Sequence, residues 1–403
     1  MNDSSTSRIQ QNQAQEIEHE LKKRVSGEVR FDDFSKILYS TDASIYQIEP
    51  VGVVVPRNKD DVLATVEVAR KNGVAVLPRG GGTSLAGQTV NYAIVIDFSK
   101  YMNRLLEFNF EERWARVEPG IVLDVLNRKI MSHKLHYTPD PSTANRASVG
   151  GSIGNNSCGA HSITYGKTID QVQELQVVLS DASEANFHSV EANNLKTKLS
   201  CQGLESDIYR EVTRISKENR DEIEARFPSL MRRVSGYNLD SFTQGEPFNL
   251  TNMVVGSEGT LCVVTEAKVN LEPRPKMTAL SVLHFKDTYE ACQATPAILE
   301  HRPAAVELID KMILDQCQSS IGFSRSMTFV EGNPGAILLV EFFGEQDELV
   351  SRVDALKADM EKKHLGYACV NFTDKAAQAN VWSVRKAGLG LLMSVPGSAK
   401  PIP

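Results

Sequence analysis

Three consecutive glycines, Gly80-Gly81-Gly82, follow the apolar run Val74-Ala75-Val76-Leu77-Pro78 and open the loop that continues through Thr83 and Ser84 to Gln88. A strand that delivers a loop without side chains lets bare backbone N–H groups close on something anionic, and a dinucleotide pyrophosphate is the leading candidate. Two more glycine-rich segments follow at long range, Gly150 to His161 and Gly256 to Thr265. Taken alone, the first loop reads equally well as a tight structural turn; three such loops in one chain favour the anion. The common phosphate templates fit poorly. Neither GxxxxGKS nor GxxxxGKT occurs, and the first run does not resolve into GxGxxG after a strand, so a nucleoside triphosphate or a Rossmann-bound nicotinamide ranks lower.

The apolar periodicity around these loops alternates between strand and helix. Val51 to Pro56, Val74 to Pro78 and Ala93 to Asp97 read as strands, and between the first two Asp60 and Asp61 are expected to cap a helix that Asn72-Gly73 ends. A helix from Val122 to Ile130 leads toward the second loop, Leu175 to Leu179 reads as a strand before a turn at Asp181-Ala182-Ser183, and Cys262 to Thr265 returns as a strand after the third. Residues 205–233 form a charged, helix-favouring excursion. Ahead of all this, Ile17, Leu21 and Val25 stand at helical spacing. Leu271-Glu272-Pro273-Arg274-Pro275 reads as a boundary, because two prolines block a continuing helix or ladder. Beyond it, strands at Leu280 to Phe285 and Ala336 to Phe343 alternate with helices from near Asp287 and from Asp347 to Lys363. The expected organisation is a helical lead-in over 1–45, a cofactor domain over 46–275 and a substrate-binding cap over 276–403.

Composition excludes several classes. The chain has 403 residues and a formal net charge of −7, with no dense Lys/Arg cluster, so a nucleic-acid partner is not expected. The run Ala336 to Val340 is interrupted at once by Glu341, no stretch reaches membrane-spanning length, and the first twenty residues lack an apolar secretory core. A cytoplasmic protein is expected. The six cysteines never form CxxC and the eight histidines show no ligand-type pairing, so no metal site is expected within the chain.

The three glycine segments, in this order and spacing, resemble the PCMH-type FAD-binding domain of the vanillyl-alcohol oxidase superfamily. Within it the resemblance is strongest to the long-form D-2-hydroxyglutarate dehydrogenases, FAD-linked D-2-hydroxyacid dehydrogenases with a fused iron–sulfur portion. It covers the chain from about Tyr46 to its end. It implies an α+β protein: an FAD-binding domain of two α/β subdomains, followed by an incomplete ferredoxin-like cap.

By that resemblance Arg79, Gly80, Gly81, Gly82, Thr83 and Ser84 cradle the FAD pyrophosphate. Asp140, Ser142 and Thr143 belong to a second cofactor-contacting stretch, followed by Gly150, Gly151, Gly154, Asn155, Asn156 and Gly159. Gly256, Glu258, Gly259, Thr260, Val263 and Val264 form a third, in which Cys262 replaces the usual glycine. No histidine interrupts the first glycine run, so non-covalent FAD is expected. On the substrate side Arg385 and Lys400 match a carboxylate-binding pair; a guanidinium fork plus an ammonium suits a 2-hydroxy acid. Leu389 stands where some relatives carry a hydroxyl.

The resemblance places the metal motif and proton-abstracting histidine downstream of that lysine, so the chain is expected to be the N-terminal part of a longer flavoenzyme. Base, metal and any iron–sulfur cluster would lie beyond Pro403. The expected activity is oxidation of D-2-hydroxyglutarate or D-lactate, with electrons passed to the iron–sulfur portion or a quinone-linked acceptor and a homo-oligomer left open. A non-catalytic flavoprotein subunit and an oxygen-using alcohol oxidase are the alternatives.

Overall fold

A computed structural model describes residues 11–243 and 247–395, which divide into two compact units. The first comprises the described residues of Met1–Pro139, Thr143–Cys158 and Gly166–Glu272; the second comprises those of Asp140–Ser142, Gly159–Tyr165 and Pro273–Pro403.

Two sheets build the first unit. In the smaller, Gly52–Val55, Ile94–Asp97 and Val76–Arg79 run parallel, and Glu28–Arg30 adds an antiparallel edge. All four residues of both Gly52–Val55 and Ile94–Asp97 are buried, as expected for parallel strands covered on two faces. The helices Gln11–Arg24 and Lys59–Lys71 supply part of the cover, packing Ile17, Leu21, Ala64 and Val68 against Val54 and Ile94. Each such aliphatic side chain contributes about 1.5–3 kcal/mol on burial. The cap of Lys59–Lys71 differs from expectation. Asn58 accepts from the Asp61 N–H at 3.0 Å, while the buried Asp61 carboxylate accepts from Ser26 N at 2.7 Å and Arg57 N at 2.8 Å. Asp61 therefore ties two chain turns together, and the residue ahead of the helix does the capping because only its side chain can reach the free first-turn amides.

The larger sheet is antiparallel, in the order Phe248–Asn249, Glu184–Val190, Val172–Val178, Val263–Asn270, Trp114–Val117, Leu105–Asn109. Val263, Thr265, Ala267 and Val269 point to the core at alternate positions, the period-two signature of a sheet with one covered face. Leu123, Leu126 and Ile130 of the helix Leu123–Ile130 join that core. A cluster of Val62, Val66, Ile96, Phe98, Val178 and Val263 joins the two sheets.

In the second unit four antiparallel strands run in the order Ala305–Asp310, Ala336–Gly344, Met277–Phe285, Ala368–Phe372. Numbered along the chain this is 2-3-1-4, the ferredoxin-like arrangement. Thr288–Glu300 and Gln346–Lys363 pack on one face through Ala291, Ile298, Leu349 and Leu356. Lys311–Ser319 and Lys375–Met393 pack on the other through Leu314, Cys317, Val381 and Val384. Among the described residues no helix is long and apolar enough to cross a membrane.

Candidate functional site

The parallel ladder of the first unit ends where Arg79 pairs with Asp97 and the Phe98 N–H reaches the Arg79 carbonyl at 3.1 Å. The chain then runs into glycine. The N–H groups of Gly80, Gly81, Gly82, Thr83 and Ser84 donate to no acceptor among the described residues. Five consecutive open donors are the backbone equivalent of an anion receptor. Gly81 is obligatory there: a Cβ would stand 2.4 Å from the Arg146 carbonyl oxygen.

Arg79 adds charge. Its guanidinium donates to the carbonyls of Thr41 at 2.8 Å and Thr89 at 2.9 Å, and lies over the Tyr39 ring. None of its hydrogen-bond acceptors is a carboxylate, and burial pulls its pKa down. Arg79, Gly80 and Ser84 line a cleft together with Gly150, Gly151, Gly154, Glu258, Gly259 and Val264. The three glycine segments, spread over nearly two hundred residues of sequence, thus share one cleft.

The helix Val149–Asn155 brings the second segment there, capped by Ser148, whose hydroxyl accepts from the Gly151 N–H at 3.2 Å. The Gly150 amide is also occupied, by the Pro119 carbonyl at 2.8 Å, so these two glycines serve close approach more than donation. Beside Gly154 there is room: a Cβ would meet nothing nearer than 3.8 Å. Asn156 ends the helix in the left-handed region at φ 49°, with its side-chain carbonyl accepting from the Ile169 N–H and its buried amide nitrogen unpaired.

The third segment is pinned to this helix by Gly256 N to Ile153 O and Glu258 N to Gly154 O, both 2.9 Å. Thr260 donates to Ser257 O at 2.6 Å and meets the Tyr237 hydroxyl at 2.8 Å. Burial raises the pKa of the Glu258 carboxyl, opposed by the Gln88 amide. Thr260 and Val263 line an adjoining cavity with Gln88 and Leu261. Gly81, Gly82, Thr83, Asn155, Asn156 and Gly256 line neither space. Sequence reasoning passes over Ser148, Phe98 and Pro119, which do line the cleft, and Cys262, noted there only as a departure from glycine, lines it as well. Ser148 was detectable as a helix cap ahead of Val149; the others carry no local signal. Burial pushes the Cys262 thiol up to about 12, which keeps it protonated.

Asp140, Ser142 and Gly159 fall in the second compact unit, whereas Thr143 is buried in the first. There His161 bridges two carboxylates: Nδ1 lies 2.6 Å from Asp140 Oδ2 and Nε2 lies 2.6 Å from Glu341 Oε2. Burial works against the imidazolium, but these two hydrogen bonds outweigh it and raise the pKa to about 10, so both ring nitrogens donate. The ring stacks on Phe343 with centroids 5.4 Å apart, and Trp382 Nε1 donates to the other Glu341 oxygen at 3.1 Å. One helical turn beyond Trp382, Arg385 donates to Glu307 through Nε at 2.9 Å and Nη2 at 2.6 Å. Glu307 pairs across from Leu339, and Ala305 from Glu341, so the two glutamates share one sheet face. That face is apolar at one end, around Ile309 and Ile337, and charged at the other. Lys400 lies outside the described residues, as does the Leu389 side chain.

Residues 50–186 match the FAD binding domain family, and residues 274–403 match the C-terminal domain of FAD linked oxidases. The chain thus carries an FAD-binding domain followed by the C-terminal domain of FAD linked oxidases. Among its relatives are proteins named D-2-hydroxyglutarate dehydrogenase. The Pseudomonas putida enzyme of that name is 34% identical over 391 residues, covering 94% of this chain and 39% of that protein. The Escherichia coli K12 one is 32% identical over 385 residues, covering 91% and 38%. The chain therefore spans about two-fifths of the length of these relatives. In fold it is similar to p-cresol methylhydroxylase with substrate bound, at a TM-score of 0.66 and 12% identity over 94% of this chain and 72% of that one. The cleft fits the pyrophosphate of FAD: the open amides of Gly80 and Ser84 at its lining, a cation with no carboxylate acceptor and free space beside Gly154 offer what two linked phosphates require.

Proposed function

We propose that this chain is the flavin-binding and acid-gripping part of an FAD-dependent dehydrogenase that oxidises a D-2-hydroxy acid, D-2-hydroxyglutarate or D-lactate, to the 2-oxo acid. The observation that carries this reading is the convergence of the three glycine segments on one cleft, with the open amides of Gly80 and Ser84 at its lining. Bound FAD supplies the acceptor for the hydride that leaves C2 of the acid.

The chain's own residues bind and orient. The N–H groups from Gly80 to Ser84 hold the pyrophosphate and Arg79 offsets part of its charge. Gly154, Gly259 and Val264 present backbone and small side chains at close range. Asp140, Ser142, Thr143, Asn155, Asn156, Gly159, Gly256, Glu258, Thr260 and Val263 complete the cofactor assignment. Arg385, joined by Lys400, holds the substrate carboxylate and fixes which face of C2 is presented. FAD is held without a covalent bond, and electrons leave to an iron–sulfur portion or a quinone-linked acceptor.

An absorbance spectrum of the purified protein, followed by anaerobic addition of D-2-hydroxyglutarate and D-lactate, tests this. A flavin spectrum that bleaches with either acid supports the whole reading. A spectrum that does not bleach supports the cofactor site alone, and absence of flavin after reconstitution with FAD sinks both. Peroxide production without an added acceptor would favour an oxidase.

A further inference from the structure

The guanidinium assigned above to the substrate carboxylate already holds a carboxylate. Glu307 Oε2 accepts from both Nε and Nη2 of Arg385, at 2.9 and 2.6 Å, and the side chains of Arg385 and Glu307 are only 20% and 11% exposed. This is the fork edge that a free acid would take. The surroundings deepen the competition. Glu307 and Glu341 point from the same sheet face, and among the described residues Asp140 adds a third carboxylate, on His161. An anionic ligand approaching Arg385 therefore meets a carboxylate already in place on the guanidinium, in a setting where screening by water is weak.

We infer that Glu307 is a built-in competitor for the substrate carboxylate. It holds Arg385 in a defined rotamer, keeps the buried cation satisfied when no acid is bound, and sets the affinity for acids by having to yield the Nε edge, or to share the guanidinium, when one arrives. The inference rests on the assignment of Arg385 to the acid. It makes Glu307 an affinity-setting residue, distinct from a passive counter-ion whose only task is to orient the fork.

The two roles separate on charge. In Glu307→Gln an oxygen remains to accept from Nε, so orientation survives while the competing charge is gone. The probe is 2-oxoglutarate, a dicarboxylate with no C2 hydrogen to surrender, titrated calorimetrically into the full-length FAD-loaded protein. Glu307→Gln is expected to bind it about tenfold more tightly than the unaltered protein, the change that removing a like charge worth ~1.4 kcal/mol produces. Unchanged or weaker binding in Glu307→Gln, with binding lost in Arg385→Gln, would overturn the competitor role and leave the Arg385 assignment standing. Binding unaffected by Arg385→Gln would overturn the assignment and the inference with it. Should Glu307→Gln fail to fold by circular dichroism, Glu307→Asp draws the carboxylate back by one methylene. Tighter binding, by a smaller factor, is then expected, and equal or weaker binding counts against the inference.

Discussion

At the scale of single residues, a buried charge and a side chain that cannot be added have different consequences. His161 is a cation between two carboxylates, with a pKa raised to about 10 by Asp140 and Glu341 against the opposing effect of burial. A folded-state pKa above the unfolded one stabilises the protein fully below about pH 6.5, and the contribution is lost as pH rises through about 10. Denaturant unfolding of the second unit, followed by Trp382 fluorescence, is expected to show that decline. His161→Gln should abolish the pH slope and cost about 3 kcal/mol at neutral pH, because it leaves two neighbouring carboxylates without their shared partner. A slope that survives the substitution would assign it to another group. Gly81 is the second case. Gly81→Ala forces a Cβ to within 2.4 Å of a backbone oxygen that cannot swing aside, and is expected to weaken FAD retention on the order of 10- to 100-fold, read from the flavin-to-protein absorbance ratio after gel filtration.

At the scale of elements, much of the alternation of strand and helix was legible from periodicity, including the strands Gly52–Val55, Val76–Arg79 and Ile94–Asp97. What periodicity misread was which polar residue does what at an element's end. Asp60 and Asp61 have the composition of a cap, yet Asn58 caps the helix and Asp61 bonds to Ser26 and Arg57. A carboxylate next to free amides takes whichever amides the tertiary fold offers, and the offer from residue 26 is invisible 35 positions away. The two are separable by urea unfolding. Asn58→Ala is expected to cost about 1 kcal/mol, and Asp61→Ala about 3 kcal/mol, since it strands buried donors as well as removing bonds. Equal costs would mean that Asp61 acts only within its own helix. The strand Glu184–Val190 shows the complementary case: its sequence is mostly polar, and its pairing with Val172–Val178 and Phe248–Asn249 makes it a strand.

At the scale of the whole molecule, the cleft proposed for FAD lies wholly within the first unit, and each unit carries one of the two tryptophans, Trp114 and Trp382. In a Trp382→Phe background, FAD at a hundredfold excess over its Kd is expected to stabilise the Trp114-reported transition by about 2.7 kcal/mol. Gly81→Ala should forfeit most of that shift, and no shift in either protein would argue against the cleft as the cofactor site. The sequence by itself determined the features that rest on local sterics: which loops lack side chains, where strands and helices alternate, and a family resemblance carried by three spaced motifs. Glycine at a close approach leaves its mark in the chain because no other residue fits. The tertiary structure alone decided the charge pairs. His161 reaches Glu341 across 180 residues and Arg385 reaches Glu307 across 78, because a charged side chain accepts any partner of opposite sign, and strand order and register choose which one arrives.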